Sequence, residues 1–302
     1  MEDMITGLCP QCGHTLHIPA ELASFSCMYC GTRLTKEQLA AEPPAAQEAD
    51  EDRAAYYDRA VSRLGWCIKN FGGYQKKIMR DVFFEAFETY ETGCAPVIQE
   101  LARGVAPEQQ TQLLGRAAAA MLDELEAGWQ KKGDMEDEKI VLAIFFVPMV
   151  RKQQLPISEE FVTILQKQWV ERYPKSPFYL GDYESISGGF RKKFLGLCFI
   201  TTAVCQELGK PDDCEELTAF RAFRDGYLRS QPDGEALIRE YYNIAPGIVT
   251  CINTCSDRHA SYARIREEYL APCYQDLLAG RSESCKARYV RMVRDLEREY
   301  LS

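Results

Sequence analysis

The sequence predicts a mainly α protein: a small β-rich N-terminal head followed by an all-α helical body. Three observations carry this. From about residue 57 onward the apolar residues recur at helical spacing. The first 38 residues instead hold short strand-like runs between turns that contain glycine and cysteine. Between the two, residues 40–52 (AAEPPAAQEADED) combine Pro43-Pro44, small side chains and an acidic run, with no apolar periodicity to order them. These features divide the chain into a head (1–38), a flexible acidic linker (39–52), a helical region (53–180) and a second helical region (181–302).

In the head, residues 15–18, 24–26 and 32–35 read as short strands. They flank two turns, Cys9-Pro10-Gln11-Cys12-Gly13 and Cys27-Met28-Tyr29-Cys30-Gly31, separated by 14 residues. The two-residue spacing aims both thiolates of each turn at one ion, and the following glycine tolerates positive φ. Two such turns complete a tetrahedral four-sulfur site, the arrangement that favours zinc, so the head is expected to be a zinc ribbon holding one structural Zn2+ through Cys9, Cys12, Cys27 and Cys30. Four thiolates leave no position open for water or substrate, which makes the site structural. His14 and His17 are alternative ligands, with surface positions on the hairpin as the ordinary reading. About 40 residues cannot build a stable apolar core without such a staple.

In the body, Tyr57, Val61, Leu64 and Ile68 form a first apolar stripe, and Ile78, Val82 and Ala86 a second. Leu114, Met121, Leu125 and Trp129 form a third, and Phe161, Leu165 and Trp169 follow Ser158, a candidate N-cap. Residues 173–189, rich in Pro, Gly and Ser, break the pattern and mark the internal boundary. A helix is expected from about Asp213 with Leu217, Phe220, Phe223 and Tyr227 inward. The last helix carries Tyr289, Val293, Leu296 and Tyr300.

Composition limits the function. With 302 residues, 46% hydrophobic and 27% charged, the chain can bury a substantial core. A net charge of −9 opposes broad adhesion to nucleic acid or anionic membrane. Residues 1–36 hold only Arg33 and Lys36 as cations, too few to neutralise several phosphates, so a protein partner is expected of the head. The N-terminus lacks the basic and apolar regions of an export signal. The longest strongly apolar run, 140–150, falls short of the roughly 20 residues that span a bilayer. A cytoplasmic location is therefore expected, where thiols stay reduced. Nothing in the pattern specifies an oligomeric state.

A second cysteine-bearing segment runs Cys198-Phe199-Ile200-Thr201-Thr202-Ala203, continues to Cys205 and Cys214, passes Phe223-Arg224-Asp225 and reaches Tyr241-Tyr242 with Pro246 beyond. Its order over about residues 196–250, a fifth of the chain, resembles the CFI-box family, which shares a CFI[AT]TA start, an FRD-containing helix and a YY…P element. Many members carry tyrosine where Cys205 stands and lack Cys214. The resemblance implies no particular reaction.

If helical, Cys198, Thr202 and Cys205 share one face, and Cys251 and Cys255 form a second pair at i, i+4. Three readings compete for these five cysteines: tight packing by small side chains, a metal or thiol-redox site, and nucleophilic catalysis by Cys198 with His259 as base. His259 is the one histidine outside the head, and no nucleophile elbow or Gly-rich loop accompanies it. An i, i+4 salt bridge from Arg221 to Asp225 is the ordinary expectation, against anion binding by the arginines. Residues 188–193 (GGFRKK) read as a solvated helix start rather than a phosphate loop. The C-terminal arginines Arg288, Arg291, Arg294 and Arg298 are interleaved with acids, as on a salt-bridged face. The four remaining cysteines, Cys67, Cys94, Cys273 and Cys285, read as packing. The leading expectation is a cytosolic zinc-binding protein-interaction or scaffolding protein. A thiol enzyme or redox sensor centred on Cys198 is the alternative, and nucleic-acid binding ranks third.

Overall fold

Two antiparallel hairpins build the N-terminal end of the chain. Strand β1 (Met4–Leu8) pairs with β2 (Thr15–Pro19), placing Ile5 opposite Ile18 and Gly7 opposite Leu16. Strand β3 (Ser24–Ser26) pairs with β4 (Arg33–Thr35), with Phe25 opposite Leu34. The computed structural model describes residues 4–11, 15–39, 47–191 and 198–302. The strands expected at 15–18, 24–26 and 32–35 are present within a residue, and β1 is an addition. Its five residues MITGL hold too short an alternation to register alone; pairing with β2 makes it a strand. Leu16 and Ile18 point inward and His17 outward, the period of two that a half-buried strand requires. The buried cluster is small: Cys9, Leu16, Cys27 and Leu34, with Phe25 and Leu39 against it.

The chain divides into two compact units, Met1–Ala55 and Tyr56–Ser302. Residues 40–46 of the expected linker lie outside the described residues. Its acidic end, from Gln47, is helical instead and opens helix α1 (Gln47–Leu64).

Among the described residues of the larger unit every regular element is a helix. After α1 come α2 (Trp66–Lys69), α3 (Phe83–Gly104), α4 (Gln110–Gly128), α5 (Lys132–Val141), α6 (Val147–Lys152) and α7 (Ser158–Arg172). Then follow α8 (Tyr183–Arg191), α9 (Phe199–Glu207), α10 (Glu215–Ala222), α11 (Gly234–Cys255), α12 (Arg258–Ile265), α13 (Ala271–Leu278) and α14 (Ser282–Tyr300). The protein is thus mainly α with a small N-terminal β part, as its sequence predicts. One apolar core runs through the whole unit, from Ala60 to Leu301. The stretch 173–189 therefore turns the chain within a unit and does not separate two.

The apolar run 140–150 forms the spine of that core, every residue buried. It passes without a break from α5 through a π-helical turn (Leu142–Phe146) into α6, with Pro148 directly after the wider turn. Among the described residues no helix is long and apolar enough to cross a membrane.

Three local expectations are corrected. Ile78 is buried but precedes α3, so 78, 82 and 86 do not share a helical face; the inward face of α3 is Phe83, Phe87, Tyr90, Cys94, Ile98 and Leu101. Ser158 is the first residue of α7 and not its cap: its buried hydroxyl donates to the Val150 carbonyl at 2.8 Å and accepts from Leu155 N at 3.1 Å. Gly188 and Gly189 sit inside α8, not at a helix start.

Candidate metal centre and a motif-lined pocket

Each CxxC follows a strand. Cys9 comes directly after β1 and Cys27 directly after β3, and Cys27 and Cys30 stand in the turn between β3 and β4. Around the second turn, Gly31 N donates to the Cys27 carbonyl and Cys27 N to the Thr32 carbonyl, both at 2.8 Å. Gly31 adopts φ +75, the left-handed conformation that its lack of a Cβ permits. The outcome is convergence: the Sγ atoms of Cys9, Cys27 and Cys30 all lie within 4.8 Å of one another. Cys9 and Cys30 are 3.7 Å apart, close to the ~3.8 Å edge of a tetrahedron built on metal–sulfur bonds of about 2.3 Å. Cys9 and Cys27 are buried, whereas Cys30 is exposed. Cys12 and His14 lie outside the described residues, and His17 is an exposed residue of β2. Three thiol ligands on two turns could hold a metal ion.

The larger unit gathers the CFI, FRD and YY residues in one place. Cys198 is the residue before α9, with a non-helical backbone (φ −98, ψ 85), so it does not share the α9 face with Thr202 and Cys205. Its thiol faces Arg224, whose Nη1 stands 3.7 Å from Sγ and donates to the Tyr242 hydroxyl at 3.1 Å. Arg224 reaches this position through a π-helical turn, Phe223–Tyr227, that continues α10. Arg224 follows buried Phe220 at i+4 and buried Leu217 at i+7, so it shares their inward face, at 6% exposure. The guanidinium is neutralised by its neighbour Asp225 through two bonds, Nε–Oδ1 at 2.8 Å and Nη2–Oδ2 at 2.6 Å. The salt bridge expected from Arg221 to Asp225 is therefore absent; the π turn removes the i, i+4 register, and Arg221 pairs with Asp212 at 2.7 Å.

Tyrosine hydroxyls tie the same region together. Ile200 N, one of the free donors at the start of α9, donates to Tyr241 Oη at 3.0 Å. Tyr289 Oη donates to Tyr241 Oη at 3.4 Å and lies 3.1 Å from Thr201 Oγ1. Burial pushes the Tyr241, Tyr242 and Tyr289 phenols upward. Burial also pushes the Cys198 thiol up, against the opposing pull of Arg224 and Arg221. Beside these groups opens a cleft of about 60 Å³, walled by Phe220, Phe223, Ile238, Tyr241, Tyr289 and Val293. Tyr289 and Val293 come from α14, well beyond the motif segment. Sequence showed them only as one stripe among several, and no spacing signal tied them to Cys198.

The other cysteines separate. Cys205 and Cys214 stand 3.9 Å apart, and burial with the neighbouring thiol pushes Cys205 up to about 12. Cys251 donates to the Tyr300 carbonyl at 3.7 Å from within the core, and Cys255 is 4% exposed. Among the described residues Cys9, Cys27 and Cys30 are the one group of three or more thiol, imidazole or carboxylate ligands close enough to share a metal. The five middle cysteines therefore do not gather into one metal-ligand cluster; Cys205 and Cys214 remain a pair. Cys67, Cys94, Cys273 and Cys285 are fully buried, as packing requires.

His259 does not meet Cys198. It pairs through Nδ1 with Glu207, the last residue of α9, while Cys198 precedes the first. Nine residues of helix put these ends about 13 Å apart. The C-terminal arginines are ion-paired: Arg288 with Asp276 at 3.0 Å, Arg291 with Asp295 at 3.5 Å, Arg294 with Glu240 at 3.0 Å, and Arg298 with Asp295. No family model, no curated protein and no solved structure matches the chain.

Proposed function

We propose that the head binds one Zn2+ through Cys9, Cys12, Cys27 and Cys30 and acts as a protein-recognition module of a cytosolic protein, joined to a helical scaffold. The carrying observation is the approach of Cys9, Cys27 and Cys30, from two hairpin turns, to within 4.8 Å. Cys12, at CxxC spacing from Cys9, supplies the fourth thiolate. The size of the head supports the same reading, since the described buried cluster of Cys9, Leu16, Cys27 and Leu34 is too small to hold two hairpins without a cross-link. Protein recognition is favoured by the exposure of Met28 (81%) and Tyr29 (58%), the two residues between Cys27 and Cys30. Large apolar side chains on a metal-stiffened turn are suited to a protein surface, where tyrosine and methionine are enriched. We also propose, on the motif order alone, that residues 196–250 belong to the CFI-box family.

Elemental analysis of the purified full chain tests the metal. One zinc per chain is expected, falling to below half in Cys12→Ser; an undiminished content in that variant overturns the ligand set. Affinity capture with the full chain carrying Met28→Ser and Tyr29→Ser, at unchanged zinc content, tests recognition. Partners lost relative to the parent chain are expected, and an identical partner set removes the role of the turn.

A further inference from the structure

We propose that the cleft between α10, α11 and α14 is a binding site for an uncharged branched-aliphatic or aromatic group, of roughly four to six heavy atoms, presented by a small molecule. The size follows from the free space, about 60 Å³, against the ~10–15 Å³ that one water needs. The walls are apolar: Phe223 from the π turn, Leu237 and Ile238 from α11, and Tyr289, Val290 and Val293 from α14. Water in such a space finds few partners, which favours its replacement by hydrocarbon.

The absence of charge on the ligand follows from the ion pairs. Two cations border the cleft, and each already holds a carboxylate: Arg224 holds Asp225 through two bonds, and Arg294 holds Glu240 at 3.0 Å. A bare anion would have to displace one of these carboxylates, and a bare cation would have to win Glu240 from Arg294. The nearby hydroxyls are also engaged, Tyr241 by Ile200 N and Tyr289 by Tyr241 and Thr201. An uncharged apolar group disturbs none of these bonds.

A second, independent feature marks the place. Arg224 lies in a π turn, Phe223–Tyr227, at the C-terminal end of the helix that α10 begins, and single π turns recur at functional sites. A guanidinium is buried there beside the cleft, an arrangement that packing alone would not favour. The site is independent of the zinc reading, and its test needs no knowledge of the metal.

The test is fluorine NMR line broadening on the full chain, with 4-fluorotoluene, 4-fluorobenzoate and 4-fluorobenzylamine as millimolar probes. The neutral probe should broaden, with an affinity at least tenfold above either charged probe. Leu237→Trp and Val290→Trp, both at half-buried positions, fill the cleft and should abolish the broadening while far-UV circular dichroism stays unchanged. Should both fail to fold, the pair Glu240→Gln and Arg294→Gln serves in their place. It should leave binding of the neutral probe within twofold, since an uncharged ligand engages neither charge. No broadening with the parent chain, equal affinity for a charged probe, binding that persists in the folded Trp variants, or a larger loss in the Gln pair would each overturn the proposal.

Discussion

Arg224 Nη1 lies 3.7 Å from Cys198 Sγ across 26 residues of chain, so the CFI and FRD segments meet through one buried guanidinium. That guanidinium also donates to Tyr242 at 3.1 Å and clasps Asp225. Replacing it strands Asp225 and Tyr242 and leaves a gap beside Cys198. Arg224→Met should therefore lower stability by about 2 kcal/mol, below the cost of breaking a fully buried pair because Asp225 is half-exposed. Arg224→Lys restores charge without the two-bond fork and should recover less than half of the loss. Urea unfolding midpoints provide the measurement, and full recovery by lysine would show that fork geometry is unimportant.

Thiol reactivity separates binding from thiol chemistry. Cys198 is 4% exposed and burial pushes its thiol upward, so at neutral pH little of it is thiolate. In native protein at pH 7.5, iodoacetamide should modify Cys198 at least ten times more slowly than in a urea-denatured control. Cys214, which is half-buried, should react first among the cysteines of the helical unit. Mass spectrometry after timed labelling reads both rates. A Cys198 as fast in native as in denatured protein would restore the thiol-enzyme alternative.

The difference between what was legible and what was not follows from sequence distance. Mainly α architecture, the inward faces of α4, α7 and α14 and the turn from Cys27 to Cys30 were readable, because each depends on residues within one or two turns of each other. Strand β1 was missed because it exists through pairing with β2. The Arg221–Asp225 bridge was misjudged because a π turn changes register without any compositional sign. Cys198 and Cys205, placed on one face by assuming a helix, part because the helix starts after Cys198. The cleft needs Tyr289 and Val293, about ninety residues beyond Cys198, and only tertiary packing brings them there.

Glycines that look alike in sequence should behave in opposite ways. A Cβ on Gly247 would fall 1.8 Å from the Ile78 carbonyl oxygen, where the loop before α3 crosses α11. Backbone on both sides cannot yield cheaply, and Gly247→Ala should cost about 3 kcal/mol. A Cβ on Gly188, inside α8, meets nothing within 4 Å. Gly188→Ala should stabilise by about 0.5–1 kcal/mol through helix propensity and reduced unfolded-state entropy. Thermal unfolding of the two variants should shift in opposite directions; a neutral Gly247→Ala would mean that α11 and the loop slide apart.

Removing the metal should act on the head alone. Its buried cluster of Cys9, Leu16, Cys27 and Leu34 is too small to persist without cross-linking, whereas the larger unit has its own continuous core. Chelation of the full chain should erase the amide signals of β1 to β4 while helical circular dichroism changes by less than about a tenth. Retention of the hairpin signals in metal-free protein would show that the head folds by other means.

Acid sensitivity should trace in part to Asp276, the carboxylate that joins α13 to α14. It accepts from Ser284 Oγ at 2.9 Å, Arg281 Nε at 2.8 Å and Arg288 Nε at 3.0 Å. The Ser284 hydroxyl, helped by Arg281 and Arg288, holds its pKa below the usual value against the upward push of burial. A carboxylate with a depressed pKa in the folded state contributes stability above its unfolded value, about 3.9, and loses it as pH falls through the folded one. Asp276→Asn removes this contribution. The stability gap between the parent chain and this variant should be constant from pH 7 to about pH 5 and close progressively below about pH 3.9. Urea midpoints over pH 7 to 2.5 measure it. A gap that persists undiminished at the acid end would assign the loss to asparagine geometry, not to the charge that Ser284, Arg281 and Arg288 stabilise.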